Sequence, residues 1–174
     1  EGVARARGIE LTVFFCSGRE PDREWDLRAV QFKQVFLKEK FISVGGKFIH
    51  SNPDVWPALK AFKPDVVITT GFNPTFLVAY LYARLFGAKH IAMTDGTDFT
   101  ESHLSVVHRW VRRWVYRGTS AFVGASLGSF RLYRSYGLPP KSLFQSHLCA
   151  NNDAFLNAAT NKDRPFDLVF SARF

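Results

Sequence analysis

Cysteine is scarce in this sequence, with Cys16 and Cys149 as its two thiols, far apart and without a C-x-x-C pair. That excludes a disulfide-stapled scaffold and a cysteine redox motif, and the thiols read as reduced, cytosolic ones. Long apolar runs are missing too. The longest, Phe76 to Phe86, is broken by Arg84 and falls short of the roughly 20 residues of a membrane span, so it reads as a buried helix. No secretory signal is visible, but the chain starts at Glu1 without Met, and its true beginning is expected upstream. Neither G-x-G-x-x-G nor G-x-x-x-x-G-K-[ST] occurs, which excludes a dinucleotide fingerprint or phosphate loop within this stretch. H-E-x-x-H and Cys/His clusters are absent, and His103 and His108 are spaced to fall on different sides of a helix. No structural or catalytic metal is expected. Acidic residues are the minority charge: 15 Asp and Glu face 23 Lys and Arg, for a net charge of +8. Such an excess suits an anionic partner (nucleotide, phospholipid surface or nucleic acid) without choosing among them.

What is present is organised around Pro64 to Asp98. Val66, Val67, Ile68 and Thr69 form a short, mostly β-branched run without alternation, the pattern of a parallel strand covered on both faces. Asn73 is placed to cap the next helix, Pro74 suits its first turn, and Gly87 stops it after Phe86. His90 to Met93 reads as the following strand, and Thr94, Asp95, Gly96, Thr97 and Asp98 as its polar tip. Open parallel sheets bind ligands beyond the carboxyl ends of their strands, so Thr70, Gly71, Asp95 and Gly96 are expected to converge on one edge.

The flanking sequence extends the same alternation. Glu1 to Gly8 resembles the last turns of a helix, Ile9 to Cys16 a strand, and together they imply a further strand upstream. Ser17 to Asp26 is a polar loop, Val30 to Leu37 an edge strand, and Lys38 to Ile49 an irregular stretch around Gly45 and Gly46. Asn52 is expected to cap a short helix buried along Val55, Trp56, Leu59 and Phe62. Ser102 to Arg117 has a stripe of Val107, Trp110, Val111, Trp114 and Val115, which predicts its buried face. The remaining surface is basic through Arg109, Arg112, Arg113 and Arg117. It is either a solvated helix face or one that docks on anionic lipid headgroups. Ser120 to Ala125 is a strand and Ser126 caps a helix ending at Gly137, before Pro139 and Pro140. Leu143 to Leu148 adds a strand, Asn151 to Asn161 a linker or short helix, and Phe166 to Ser171 a fresh strand pattern that implies sequence beyond Phe174. The fold class is α/β: a Rossmann-like layered parallel sheet with helices on both faces. Residues 1–160 form one domain, and 161–174 are a linker and the first strand of another.

Gly124 to Gly128 (GASLG) matches G-x-S-x-G between a strand and a helix, the setting of a nucleophile elbow. The triad order on that fold requires an acid and then a histidine after the serine. Here His147 follows Ser126 with no acidic residue between, so the esterase reading ranks third and Ser126 is foremost a helix cap. His90 reads as a packed or hydrogen-bonded strand residue. Asp95 and Asp98 keep two readings: acceptors for sugar hydroxyls, or supports of a turn.

The order of these pieces resembles the N-terminal, acceptor-side half of a GT-B glycosyltransferase of family 4. The resemblance rests on KPDVVITTG (Lys63 to Gly71), TDGTD, the Arg-rich helix before SAFVGAS (Ser120 to Ser126), and YGLPPKSLF (Tyr136 to Phe144). NNDAF (Asn151 to Phe155) and FDLVFSARF (Phe166 to Phe174) complete it. It implies transfer of a sugar from a UDP- or GDP-linked donor to an acceptor glycan or lipid, with retention and with neither metal nor other cofactor. Nucleic acid is not among the partners. The implied location is cytoplasmic, peripheral on the inner face of the cell membrane, and the implied role lies in cell-envelope polysaccharide. Arg173 corresponds to the arginine that contacts the donor diphosphate, a task suited to its forked donors. Where many members carry a histidine after the strand at His90 to Met93, this chain has Thr94 and Asp95, which makes Asp95 the candidate catalytic residue. Gly71, Asp95, Gly96, Asp98 and Ser126 are the expected cleft residues. A module that binds anions or another protein without chemistry is the alternative.

Overall fold

The computed structural model describes residues 2–18, 30–44 and 47–147. The helix end expected before Gly8 is a single 3-10 turn at Val3–Arg5, and Gly8 turns the chain with φ of 79°. Strand β1 (Thr12–Phe15) then pairs in parallel with β2 (Lys33–Phe36), which has no further neighbour among the described residues. The stretch around Gly45 and Gly46 departs from the sequence reading: β3 (Phe41–Val44) and β4 (Lys47–His50) pair antiparallel across it. A Gly-Gly pair between two short Phe/Ile-bearing runs is a hairpin signal, which the interspersed Ser and Lys residues obscure.

Helix α1 (Val55–Phe62) buries Val55 and Leu59 as the stripe predicts, while Trp56 and Phe62 are half-covered. Asn52 is not its cap. The N-cap position is Asp54, and Asn52 is instead buried between elements. Its amide nitrogen donates to the carbonyls of Cys16 and Lys38, both at 2.7 Å, joining the ends of β1 and β2. Its Oδ1 accepts from the Thr75 hydroxyl at 2.8 Å, while its backbone N–H donates to that hydroxyl at 2.9 Å. A buried amide with its donors and acceptor all engaged is stabilising, and would be costly if any partner were lost.

Strand β5 (Val66–Thr69) leads into α2 (Pro74–Phe86), where Asn73 accepts from the Phe76 N–H at 3.0 Å, Pro74 opens the first turn and Gly87 ends the helix at φ of 77°. These are the predicted punctuation residues in their predicted roles. Next come β6 (Lys89–Thr94), α3 (Val106–Arg117), β7 (Ala121–Gly124), α4 (Leu127–Ser135) and β8 (Leu143–Gln145). β5, β6, β7 and β8 form one parallel sheet in that order.

Because every crossover in this sheet steps the same way and is expected to be right-handed, α2, α3 and α4 belong over one face. The contacts agree. Tyr80 of α2 packs on His90, and Tyr116 of α3 and Tyr133 of α4 pack on Phe122. Register places Val67, Thr69, His90, Ala92, Phe122 and Leu143 on that covered face. Its core divides into a cluster of Leu37, Val55, Leu59, Val67, Ala79, Tyr82 and Ala83 and another of Ala92, Tyr116, Phe122 and Tyr133. The opposite face differs from the expectation of a strand covered on both sides: Val66 (45%), Ile68 (51%) and Phe144 (54%) remain exposed among the described residues. The strand expected at Phe166 to Ser171 and the linker expected at Asn151 to Asn161 lie outside the described residues, as does the boundary at residue 160.

Candidate functional site

The carboxyl ends of β5, β6, β7 and β8 open on one edge, where α2, α3 and α4 also begin. The positive ends of three helix dipoles therefore face this edge and favour electron-rich groups. The loops are bound to one another. The Ala125 N–H donates to the Thr94 carbonyl at 3.1 Å and the Ser146 N–H to the Gly124 carbonyl at 3.1 Å. After β6 the chain folds on itself: Gly96 N–H donates to the Thr94 hydroxyl at 3.0 Å, and Thr97 N–H to the Thr100 hydroxyl at 2.8 Å. Asp98 leaves this turn to accept from Arg131 Nε on α4 at 3.0 Å. That guanidinium holds the Asp98 carboxyl below the usual carboxylate range.

Asp95 contrasts with Asp98. Its side chain is exposed and makes no hydrogen bond or ion pair among the described residues, so its oxygens are available to a ligand. Gly71 and Gly96 are half-buried in the neighbouring loops of the same edge. Gly71, Asp95, Gly96, Asp98 and Ser126 thus all belong to this edge, while Arg173 lies outside the described residues.

The G-x-S-x-G run has a packing explanation. A Cβ on Gly124 would stand 2.8 Å from the Ser129 Cβ, and one on Gly128 would stand 2.7 Å from the Thr97 Cγ2. Both glycines are small because α4 is pressed onto β7 on one side and onto the β6 loop on the other. Ser126 Oγ accepts the Ser129 N–H at 3.3 Å and lies 3.3 Å from the Ser129 hydroxyl. Among the described residues it meets no histidine or carboxylate, so nothing is placed to take its proton.

Behind this edge Glu101 and Arg112 form a pair that the sequence reading did not identify. Arg112 Nη2 donates to Glu101 Oε1 at 3.1 Å, and Nε stands 2.7 Å from Oε2, with both side chains about 12% exposed. The guanidinium also lies 4.4 Å above the Phe72 ring, linking the loops after β5 and β6 to α3. Arg112 is therefore turned inward rather than grouped with the exposed arginines of its helix. Glu101 belongs to a loop and its partner to a helix eleven residues on, so no helical spacing announces the pair.

His90, 1% exposed, takes the hydrogen-bonded role. Nδ1 lies 2.8 Å from the Thr119 hydroxyl, which itself donates to the Val115 carbonyl at 2.9 Å. The Thr119 oxygen must therefore accept from Nδ1–H, leaving Nε2 to accept from the Thr69 hydroxyl at 3.0 Å. Burial lowers its pKa from 6.5 to about 4. It is a neutral structural imidazole with both nitrogens engaged.

Among the described residues no three His, Cys, Asp or Glu side chains group as metal ligands, and no helix is long and apolar enough to cross a membrane. Among the described residues, hollows also lie away from the carboxyl edge. One of about 330 Å³ lies by Lys60, Lys63, Asp65 and Phe86, at the amino end of β5, and one of about 280 Å³ lies between α2 and α3.

The family model described as Glycosyltransferase Family 4 matches residues 3–144. The chain belongs to glycosyltransferase family 4. The match ends within β8, so this family 4 domain spans every helix and strand described above except the last residue of β8, Gln145, and includes the whole β6 loop. No curated protein matches the chain.

Proposed function

We propose that this family 4 domain forms the acceptor side of a nucleotide-sugar-dependent glycosyltransferase, with the carboxyl edge of the sheet as one wall of the reaction cleft. The observation that carries the reading is the convergence of Gly71, Asp95, Gly96 and Ser126 on an edge whose other conspicuous carboxylate, Asp98, is already committed to Arg131. In this reading the exposed Asp95 accepts a hydrogen bond from an acceptor hydroxyl and orients it for attack at the anomeric carbon. Gly71 and Gly96 keep the approach to that hydroxyl free of side chains. Arg173 neutralises the departing diphosphate of a UDP- or GDP-linked donor, and the reaction proceeds with retention and without a metal ion.

Transfer assayed with radiolabelled nucleotide-sugars on the full-length gene product tests the proposal. Asp95→Ala is expected to lower kcat/KM by roughly 10²-fold or more while the folded fraction is unchanged, a loss in the range of a removed acid–base group. Full activity in a folded Asp95→Ala protein removes Asp95 from the site. Absence of transfer from any donor in the wild type overturns the function.

A further inference from the structure

α3 buries only part of the stripe that its sequence suggests: Val115 is covered and Val111 and Trp114 are half-covered, while Val107 and Trp110 face outward. Val115 and Tyr116 are its buried residues, whereas Val106 is 81%, Val107 69% and Trp110 64% exposed. Phe99, in the loop leading to the helix, is 78% exposed. At about 100° per residue, Arg109, Arg113, Val106, Arg117, Trp110, the half-buried Trp114 and Val107 follow one another across roughly 160° of the helix surface. This outward face therefore interleaves large apolar side chains with arginines.

Among the described residues the charge of this face is uncompensated. α3 contains no acidic residue, and two carboxylates of the preceding loop, Asp98 and Glu101, are engaged by Arg131 and Arg112, leaving Asp95 exposed. Among the described residues no carboxylate lies within ion-pair distance of Arg113 or Arg117. Arg109 donates to the Leu104 and Ser102 carbonyls, which fixes it beside the start of the helix. On α2, Leu81 and Arg84 line a hollow beside Trp114 and Arg117, and Tyr80 joins the two helices by packing on Trp114.

We propose that this face docks on an anionic lipid bilayer, with Phe99, Val106, Val107 and Trp110 entering the headgroup region and Arg109, Arg113 and Arg117 meeting lipid phosphates. Aromatic and aliphatic side chains gain at that depth by leaving water, and the arginines donate to phosphate while lowering the anionic surface potential around them. The charge pattern selects a bilayer over a second copy of the chain. A two-fold contact through this face would set arginines against arginines, because such an interface is the same patch on both partners. The docking stands independently of the transfer reading. If that reading also holds, Phe99 and Asp95 lie on one loop, and docking presents the carboxyl edge to an acceptor carried in the membrane.

Flotation of the full chain with vesicles provides the test. The protein is expected to float with an equal mixture of phosphatidylcholine and phosphatidylglycerol, to stay behind with phosphatidylcholine alone, and to be released as salt is raised. Arg113→Ala/Arg117→Ala should weaken partitioning roughly 25-fold, fivefold for each arginine at about 1 kcal/mol per charge near an anionic surface. Trp110→Ala should weaken it without changing the salt dependence, and Lys33→Ala/Lys38→Ala, which removes as much charge elsewhere, should leave it unchanged. Far-UV melting checks that each protein is folded; the substituted side chains are exposed, and Trp110→Ala gives an answer even if the double variant does not fold. Equal binding to neutral vesicles, wild-type protein that remains unfloated, or binding indifferent to Trp110→Ala would overturn the proposal. So would self-association in sedimentation that Trp110→Ala abolishes while no protein floats.

Discussion

At the scale of single residues, burial and hydrogen bonding decide the ionisation of His90. Its folded pKa near 4 is depressed from 6.5, so the native protein binds fewer protons than the unfolded chain between those values. The associated stability is fully present above pH 6.5 and is lost as pH falls towards 4. The expected loss is up to about 3 kcal/mol, at 1.36 kcal/mol per pKa unit. His90→Gln should flatten that part of the profile in urea unfolding followed from pH 7 to pH 4, and a wild-type slope retained in the variant would assign it to other groups. Two ion pairs offer a second comparison. Removing Arg131 from the exposed Asp98 pair is expected to change stability by less than about 1 kcal/mol. Arg112→Ala strands Glu101, only 12% exposed, and is expected to cost about 3 kcal/mol. The same denaturation series ranks them, and equal losses would refute the distinction.

Elements were legible where a chemical signal acts locally. Asn73 and Pro74 start α2 and Gly87 stops it; Ser126 starts α4; each works through its own backbone neighbours, so sequence spacing suffices. Ser126→Ala is accordingly expected to cost about 1 kcal/mol, the usual loss of a serine cap, while sugar transfer persists. Thermal unfolding beside the transfer assay checks both, and lost turnover at native stability would revive a chemical role for the hydroxyl. Legibility fails where a partner distant in sequence intervenes. Asn52 looks like a cap because a proline and a helix follow it, yet its amide is claimed by Cys16, Lys38 and Thr75 from three other segments. In α3, apolar residues surround the axis, so periodicity finds a stripe but cannot say which one meets the sheet. Tyr116, packed among Phe72, Phe122, Tyr133 and Tyr136, decides the orientation, and no helical repeat reports that pocket. The carboxyl edge was foreseeable because strand order and loop position follow from topology. The Glu101–Arg112 pair behind it was not.

On the scale of the whole molecule, the sheet of β5 to β8 is covered by its helices on one face, while among the described residues Val66, Ile68 and Phe144 remain exposed on the other. Alternate residues of one strand should consequently differ in their contribution. Val67→Ala is expected to cost about 1–3 kcal/mol, and Ile68→Thr in the same strand to stay within about 0.5 kcal/mol. Chemical denaturation of this 174-residue chain measures both, and a large penalty at Ile68 would mean that something covers that face in solution. Among the described residues the two parallel sheets share no strand pairing, and Asn52 is a polar link between the β1–β2 pair and the start of α2. A conversion of this asparagine to aspartate would turn an oxygen towards two carbonyl oxygens and exchange attraction for repulsion. Asparagine usually ages through attack by the following backbone nitrogen on its own side chain, and Pro53 supplies a nitrogen with no hydrogen to surrender. The linchpin between the sheets is thereby shielded from the spontaneous chemistry that most threatens its residue type.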